Sequence, residues 1–191
     1  FELPAERIAT HPPERRDGAR LLVLDREAGT LRHRMVAGLP DLLREGDLLV
    51  ANDSRVIPAR LRARRASGGH VEVLLLSPQE GRVPCLVRPA RRLKEGERLL
   101  VEGGELELVE RPDDDGIASV VAHPSTSAVL AAGEIPLPPY LGRSAEPEDS
   151  QRYQTVFAGP AGSVAAPTAG LHLTQELLLR LGGRGIGFAT V

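Results

Sequence analysis

Apolar positions recur along this chain at two different spacings, and the change of spacing divides it. Leu21-Leu22-Val23-Leu24 is an unbroken apolar run between Gly18 and Asp25, which predicts a short buried strand. Residues 31–36 alternate, and the turn Glu27-Ala28-Gly29 lets them fold back on that strand as a hairpin. Residues 39–46 predict one or two helical turns closed by Gly46. Residues 47–51 then predict a strand that ends at the polar turn Asn52-Asp53-Ser54-Arg55. From residue 56 to 121 the pattern tightens into six short candidate strands: 60–64, 71–76, 83–88, 98–101, 106–109 and 117–121. Turns rich in Gly, Pro and Asp separate them. Strands this short and this close predict a small antiparallel barrel or sandwich.

Helical signals return afterwards. Ser125-Thr126-Ser127 can cap a short helix that reaches Ala132 and stops at Gly133. Ile135-Pro136-Leu137-Pro138-Pro139-Tyr140 predicts extended chain, because proline disfavours helix at its own position and at the one before. Residues 144–150 form a polar, acidic link. Thr174 caps a helix over 175–181, with Glu176 at its positive end, and residues 186–191 predict another strand. The fold class expected is a mixed α/β domain with an inserted small antiparallel β-barrel. Residues 1–61 and 148–191 make the α/β domain, and residues 62–147 make the barrel with its short helix. The chain opens at Phe1 and stops inside an apolar run, so a fragment of a longer protein is expected, with the α/β domain incomplete on its C-terminal side.

Composition narrows the class. No apolar run is long enough to span a bilayer, and no partner exists for an internal disulfide of the single Cys85. Cys85 falls between Val83 and Val87 in a strand pattern and reads as core. No Cys/His cluster has metal-ligand spacing. A cytoplasmic, monomeric protein with no metal is expected. The net charge of −2 hides an asymmetry: residues 55–100 carry eleven Lys/Arg against four Asp/Glu, and residues 101–150 carry two against eleven. Such a basic block marks a phosphate or nucleic-acid surface, or one half of an internal charge complementarity. Strand alternation puts Arg60, Arg62 and Arg64 on one face, either as a phosphate-contacting stripe or as the solvated outside of the barrel.

Two segments could carry chemistry. In Ser163-Val164-Ala165-Ala166-Pro167-Thr168-Ala169-Gly170-Leu171-His172, seven of ten residues are Ser, Ala, Thr, Pro or Gly. Small side chains let backbone N–H groups approach a ligand closely, and a helix start follows. Alternatively the segment is a tightly packed crossover from strand to helix. His172 could move a proton near neutral pH. Asn52, Asp53, Ser54 and Arg55 lie where an α/β strand ends, a common place for ligand sites, and would otherwise form a plain Asx turn. Neither a P-loop nor a Gly-x-Gly-x-x-Gly fingerprint is present.

Taken together, these pieces resemble one family. Pro12-Pro13-Glu14-Arg15-Arg16 with Arg20-Leu21-Leu22-Val23-Leu24-Asp25 is similar to the opening of the S-adenosylmethionine:tRNA ribosyltransferase-isomerases of queuosine biosynthesis. Residues 46–61, Pro136-Leu137-Pro138-Pro139-Tyr140, Tyr153-Gln154-Thr155-Val156-Phe157-Ala158 and residues 164–172 look like further family blocks in the same order. The match is weaker through 62–134, and the chain covers about the first half of the family's usual length. The resemblance implies transfer and isomerisation of the ribosyl group of S-adenosylmethionine onto 7-aminomethyl-7-deazaguanine at the tRNA wobble position, giving epoxyqueuosine, adenine and methionine. It implies tRNA and S-adenosylmethionine as partners, the latter as co-substrate, with no bound cofactor. It also implies catalytic roles for Asp53 or His172 as the base acting beside the sulfonium, and for His172 as the proton source for adenine. Arg55 or Arg60 would hold the methionine carboxylate, and Pro167, Thr168, Ala169, Gly170 and Leu171 would line the ribose, with Asn52, Ser54 and Tyr140 also on substrate. The alternative is a non-catalytic RNA-binding β-barrel module, which would need neither the 167–170 loop nor Asn52-Asp53.

Overall fold

A computed structural model describes residues 2–191. Strands β1 (Arg20–Asp25) and β2 (Thr30–Met35) pair antiparallel from Arg20↔Met35 to Asp25↔Thr30. Their turn is tied by the Asp25 carboxylate, which accepts from the Glu27 and Ala28 N–H groups, and by Gly29 at a φ of 62°. β1 departs from the buried strand expected of an apolar run. Leu22 and Leu24 are exposed, because this is a two-stranded sheet that presents one face to the rest of the chain through Leu21.

The segment after the hairpin also differs from expectation. A 3-10 turn runs over Val36–Asp41, earlier than the predicted helical turns. Pro40 inside it has no N–H to continue a helical ladder. Asp47 then draws residues 44–47 into a separate turn, accepting from the Arg44 N–H and donating its own N–H to the Arg44 carbonyl. β3 (Leu48–Ala51) follows and pairs in parallel with β12 (Gly187–Thr190), whose approach is set by α3 (Gln175–Gly182). Thr174 caps α3 as predicted, its hydroxyl accepting from the Leu177 N–H at 3.0 Å. Leu177 and Leu181 bury one face of α3 against Val36 and Ile186, with Leu43 and Leu49 beneath. A second parallel pair joins β4 (Arg55–Val56) to β11 (Ala161–Ser163).

Between these halves lies a closed antiparallel barrel of β5 (Arg60–Arg65), β6 (His70–Leu75), β7 (Arg82–Arg88), β8 (Arg98–Val101), β9 (Gly104–Glu110) and β10 (Ile117–His123). Around the barrel the order is β10-β7-β6-β5-β8-β9. All six predicted strands are present, and closure leaves the barrel no free edge. Alternation sends Leu61, Val73, Val83, Leu99, Leu106 and Val120 into a core where each is at most 2% exposed. Cys85 is part of that core, and burial pushes its thiol up to about 12. α1 (Thr126–Leu130), capped by Ser125, closes one end of the barrel through the buried Val129.

A third cluster of Val56, Ile135, Leu137, Tyr153 and Ala166 joins the chain returning from the barrel to the α/β part. That return is extended as far as Pro138, as its prolines predict. It then tightens into a 3-10 turn over Pro139–Leu141 and a short helix α2 (Asp149–Arg152). Proline suits the first position of such a turn, because its missing N–H would have no partner there. No helix among the described residues is long and apolar enough to cross a membrane.

Candidate functional site

The small-residue segment folds into a 3-10 turn over Thr168–His172, and this turn is a partition. Thr168, Leu171 and His172 face a cleft of about 240 Å³. Pro167, Ala169 and Gly170 face an apolar groove of about 320 Å³ on the other side. The segment has to be slim here: a Cβ on Gly170 would lie 2.9 Å from the Phe157 ring and 3.0 Å from the Thr155 methyl. Phe157 in turn stacks edge-on against Phe188 with ring centroids 5.1 Å apart.

Besides α2, which brings Asp149, Arg152 and the following Tyr153, three stretches distant in sequence wall the cleft. One is the 3-10 turn just described. The second is the turn bearing the exposed Tyr140, together with the buried Leu137. The third is residues 9–16, strapped in place by arginines that spend their donors on backbone carbonyls. Arg143 Nε donates to the Thr10 carbonyl at 2.8 Å, Arg152 donates to the Pro13 and Glu14 carbonyls, and Arg16 donates to the Gln151 and Leu171 carbonyls at 2.8 and 3.0 Å. Asp149 is the cleft's buried anion. It accepts Arg143 Nη1 at 2.6 Å, Arg143 Nη2 at 2.9 Å and the Glu146 N–H at 2.7 Å. The hydrogen bonds from Arg143 hold its carboxyl below the ordinary range despite burial. Arg16 is shifted below its ordinary value, first by burial and then by the neighbouring Arg152. Burial likewise raises the Tyr153 phenol. Arg16, Arg143 and Arg152 against one aspartate leave the lining cationic.

The predicted site residues separate into four groups. Tyr140, Thr168, Leu171 and His172 share the cleft. Asn52 shares the apolar groove with Pro167, Ala169 and Gly170, so the two chemistry-bearing segments do meet in space. The Asn52 amide is occupied as an Asx turn, accepting from the Ser54 N–H at 2.9 Å and from the Ser54 hydroxyl. Asp53, Ser54 and Arg55 line neither concavity. Arg55 Nη2 and Nε donate to the Ala158 and Gly159 carbonyls at 2.6 and 3.3 Å, which braces that loop against β4. Asp53 backs the same loop through its carbonyl, which accepts from the Gly159 N–H at 2.7 Å. Arg60 lies on the barrel: its Nη2 donates to the Leu137 carbonyl at 2.9 Å, while the side chain faces a groove outside the cleft.

Sequence reasoning missed Arg16, Arg143, Asp149 and Arg152. Asp149 lies in the stretch 144–150 that reads only as a polar link, and Arg143 immediately precedes it. Nothing in the spacing shows that both would turn inward beneath residues 10–14.

Residues 1–191 match the family described as queuosine biosynthesis protein. Among its relatives, the S-adenosylmethionine:tRNA ribosyltransferase-isomerase of Pelobacter propionicus is 49% identical over 195 residues, covering 99% of this chain and 57% of that protein. The protein of the same name from Chlorobaculum parvum is 50% identical over 188 residues, covering 97% of this chain and 55% of its own. A solved S-adenosylmethionine tRNA ribosyltransferase from Thermotoga maritima is 33% identical, covering all of this chain and 55% of that one at a TM-score of 0.40, too low to bear on the fold. An inserted barrel and a cleft behind a small-residue turn therefore accompany membership of a tRNA-modification family. The chain belongs to the queuosine biosynthesis family. It spans about half the length of the relatives it matches.

Proposed function

We propose that this chain forms part of the active site of an S-adenosylmethionine:tRNA ribosyltransferase-isomerase, and that the cleft beside His172 is where its chemistry takes place. The reaction transfers and isomerises the ribosyl group of S-adenosylmethionine onto 7-aminomethyl-7-deazaguanine of tRNA, releasing adenine and methionine. S-adenosylmethionine is a co-substrate here, and no bound cofactor takes part. A cytoplasmic protein that works as a monomer fits this role. The observation that carries the reading is the cleft itself, in which the imidazoles of His172 and His11 and a cationic lining face a common space.

The sulfonium of S-adenosylmethionine acidifies the adjacent ribose C5′–H, so a base within reach can remove that proton. His172 faces the cleft and Asp53 does not, which favours His172 for this step and for returning a proton to the departing adenine. The methionine carboxylate is drawn by the net positive charge of Arg16, Arg143 and Arg152, which line the cleft, rather than by Arg55, which does not. Tyr140, exposed at the mouth, offers a ring on which a base can stack. Thr168 and Leu171, the residues of the turn beside His172 that face the cleft, supply groups for ribose hydroxyls, while Asn52 lies in the groove on the far side.

The test is incubation of the complete protein with S-adenosylmethionine and tRNA carrying the deazaguanine precursor. Adenine released in step with tRNA modification is expected. Tight tRNA binding with no adenine would instead favour a non-catalytic RNA-binding barrel.

A further inference from the structure

The barrel has two unlike outer faces. Alternation sends Leu61, Ala63, Val71, Val73, Cys85 and Val87 inward, so their neighbours point out. Cross-strand register then sets Arg62 beside Glu72 and Glu72 beside Arg88, with Arg64 beside His70 in the next row. Five of these side chains thus make one patch across β5, β6 and β7, and only Glu72 is acidic. Arg62 is engaged by Glu134 in a two-point ion pair. Arg64 and Arg88 have no carboxylate within ion-pair distance among the described residues. The opposite face, across β8, β9 and β10, is acidic and matched: Arg98 pairs with Glu105 and Glu107, and Glu110 is met by Arg82 from the end of β7.

The basic face is also grooved. A depression of about 520 Å³ runs between Arg60, Arg62, His70, Arg88 and Arg143. Arg60 Nε is buried beneath it without a hydrogen bond, in a loose ion pair 3.6 Å from the nearest Glu72 oxygen. Arg143 lines both this groove and the His172 cleft, so a chain lying in the groove leads into the cleft.

We propose that the outer face of β5, β6 and β7 receives the sugar-phosphate backbone of the tRNA and directs the modified nucleotide toward the cleft. Unpaired arginines on a surface exchange condensed counterions for phosphate contacts, and the matched acidic face has no such surplus. This surface rests on the tRNA-modifying reading given above.

The test compares the double variant Arg64→Ala/Arg88→Ala with Arg98→Ala on the opposite face. All three arginines are exposed, and thermal melts check that each variant folds. Binding of substrate tRNA is read by fluorescence anisotropy at several salt concentrations. The basic-face variant should bind about tenfold or more weakly, and its log–log salt slope should be shallower by about 2, roughly one unit per lost phosphate contact. The opposite-face variant should match the unaltered protein. An unchanged slope in the basic-face variant, or an equal loss in both variants, overturns the proposal. Adenine release is scored separately. Release by the basic-face variant with undiminished tRNA affinity sinks the surface and spares the enzyme. Face-dependent tRNA binding by an unaltered protein that releases no adenine keeps the surface and sinks the enzyme.

Discussion

Replacing Asp149 by Asn tests how the cleft is held together. Asp149 and Arg143 are 6% and 14% exposed at their side chains, and two hydrogen bonds of 2.6 and 2.9 Å join them. Removing one partner of a buried ion pair typically costs about 3–5 kcal/mol, because the other charge is left uncompensated. Arg143 would keep the Thr10 and Ser144 carbonyls as acceptors, which places the expected loss at the lower end, about 3 kcal/mol. For a chain of this size that corresponds to a fall in Tm of roughly 6–12 °C. Urea and thermal unfolding measure it. The pH dependence follows from the depressed Asp149 carboxyl. A group whose folded value is lowered contributes stability above its unfolded value, about 3.9, and loses that contribution as pH falls through the folded value. The gap between the unaltered protein and the Asn variant should therefore be full at neutral pH and shrink below about pH 4. Changing both partners, as in Arg143→Met/Asp149→Leu, should cost less than either single change. A loss under about 1 kcal/mol, or a gap that does not change between pH 7 and pH 3, would refute the reasoning.

Three further outcomes follow from the same structure. Leu106→Ala empties a fully buried barrel position and should cost about 3–5 kcal/mol by urea denaturation. Cys85, with its thiol pushed up to about 12, should resist alkylation at pH 8 in the folded protein and react only once it is unfolded. Gly170→Ala should cost about 1–3 kcal/mol, since its Cβ would meet Phe157 and Thr155 at 2.9 and 3.0 Å; a neutral result in thermal melts would show that the turn has slack.

Period-2 alternation made the barrel legible, because each strand buries one face completely and its turns carry the glycines and prolines that end strands. The caps at Ser125 and Thr174 were legible for a similar local reason: a hydroxyl just before an apolar run has one evident use. The apolar run at residues 21–24 misled, since apolar character alone cannot say how many layers will cover a strand. Residues 39–46 misled because Pro40 and the Asp47 turn act over a few residues that a helical pattern averages away. At the site, residue types were readable but partition was not. Thr168 and Leu171 turn to one side and Ala169 and Gly170 to the other, as the three-residue period of a 3-10 turn dictates, while His172 at the end of the turn faces the cleft against that period. The straps from Arg16, Arg143 and Arg152 to residues 10–14 and 171 are long-range contacts between side chain and backbone, which leave no periodic trace.

The most direct measurement is single-turnover adenine release from S-adenosylmethionine by the complete protein, by its His172→Ala variant and by its Asp53→Ala variant, with substrate tRNA saturating and folding verified. A proton-transfer group lining the cleft predicts a fall of about 10²–10⁴-fold for His172→Ala and a smaller effect for Asp53→Ala, which lines no part of it. Near-normal release by both variants would contradict the account.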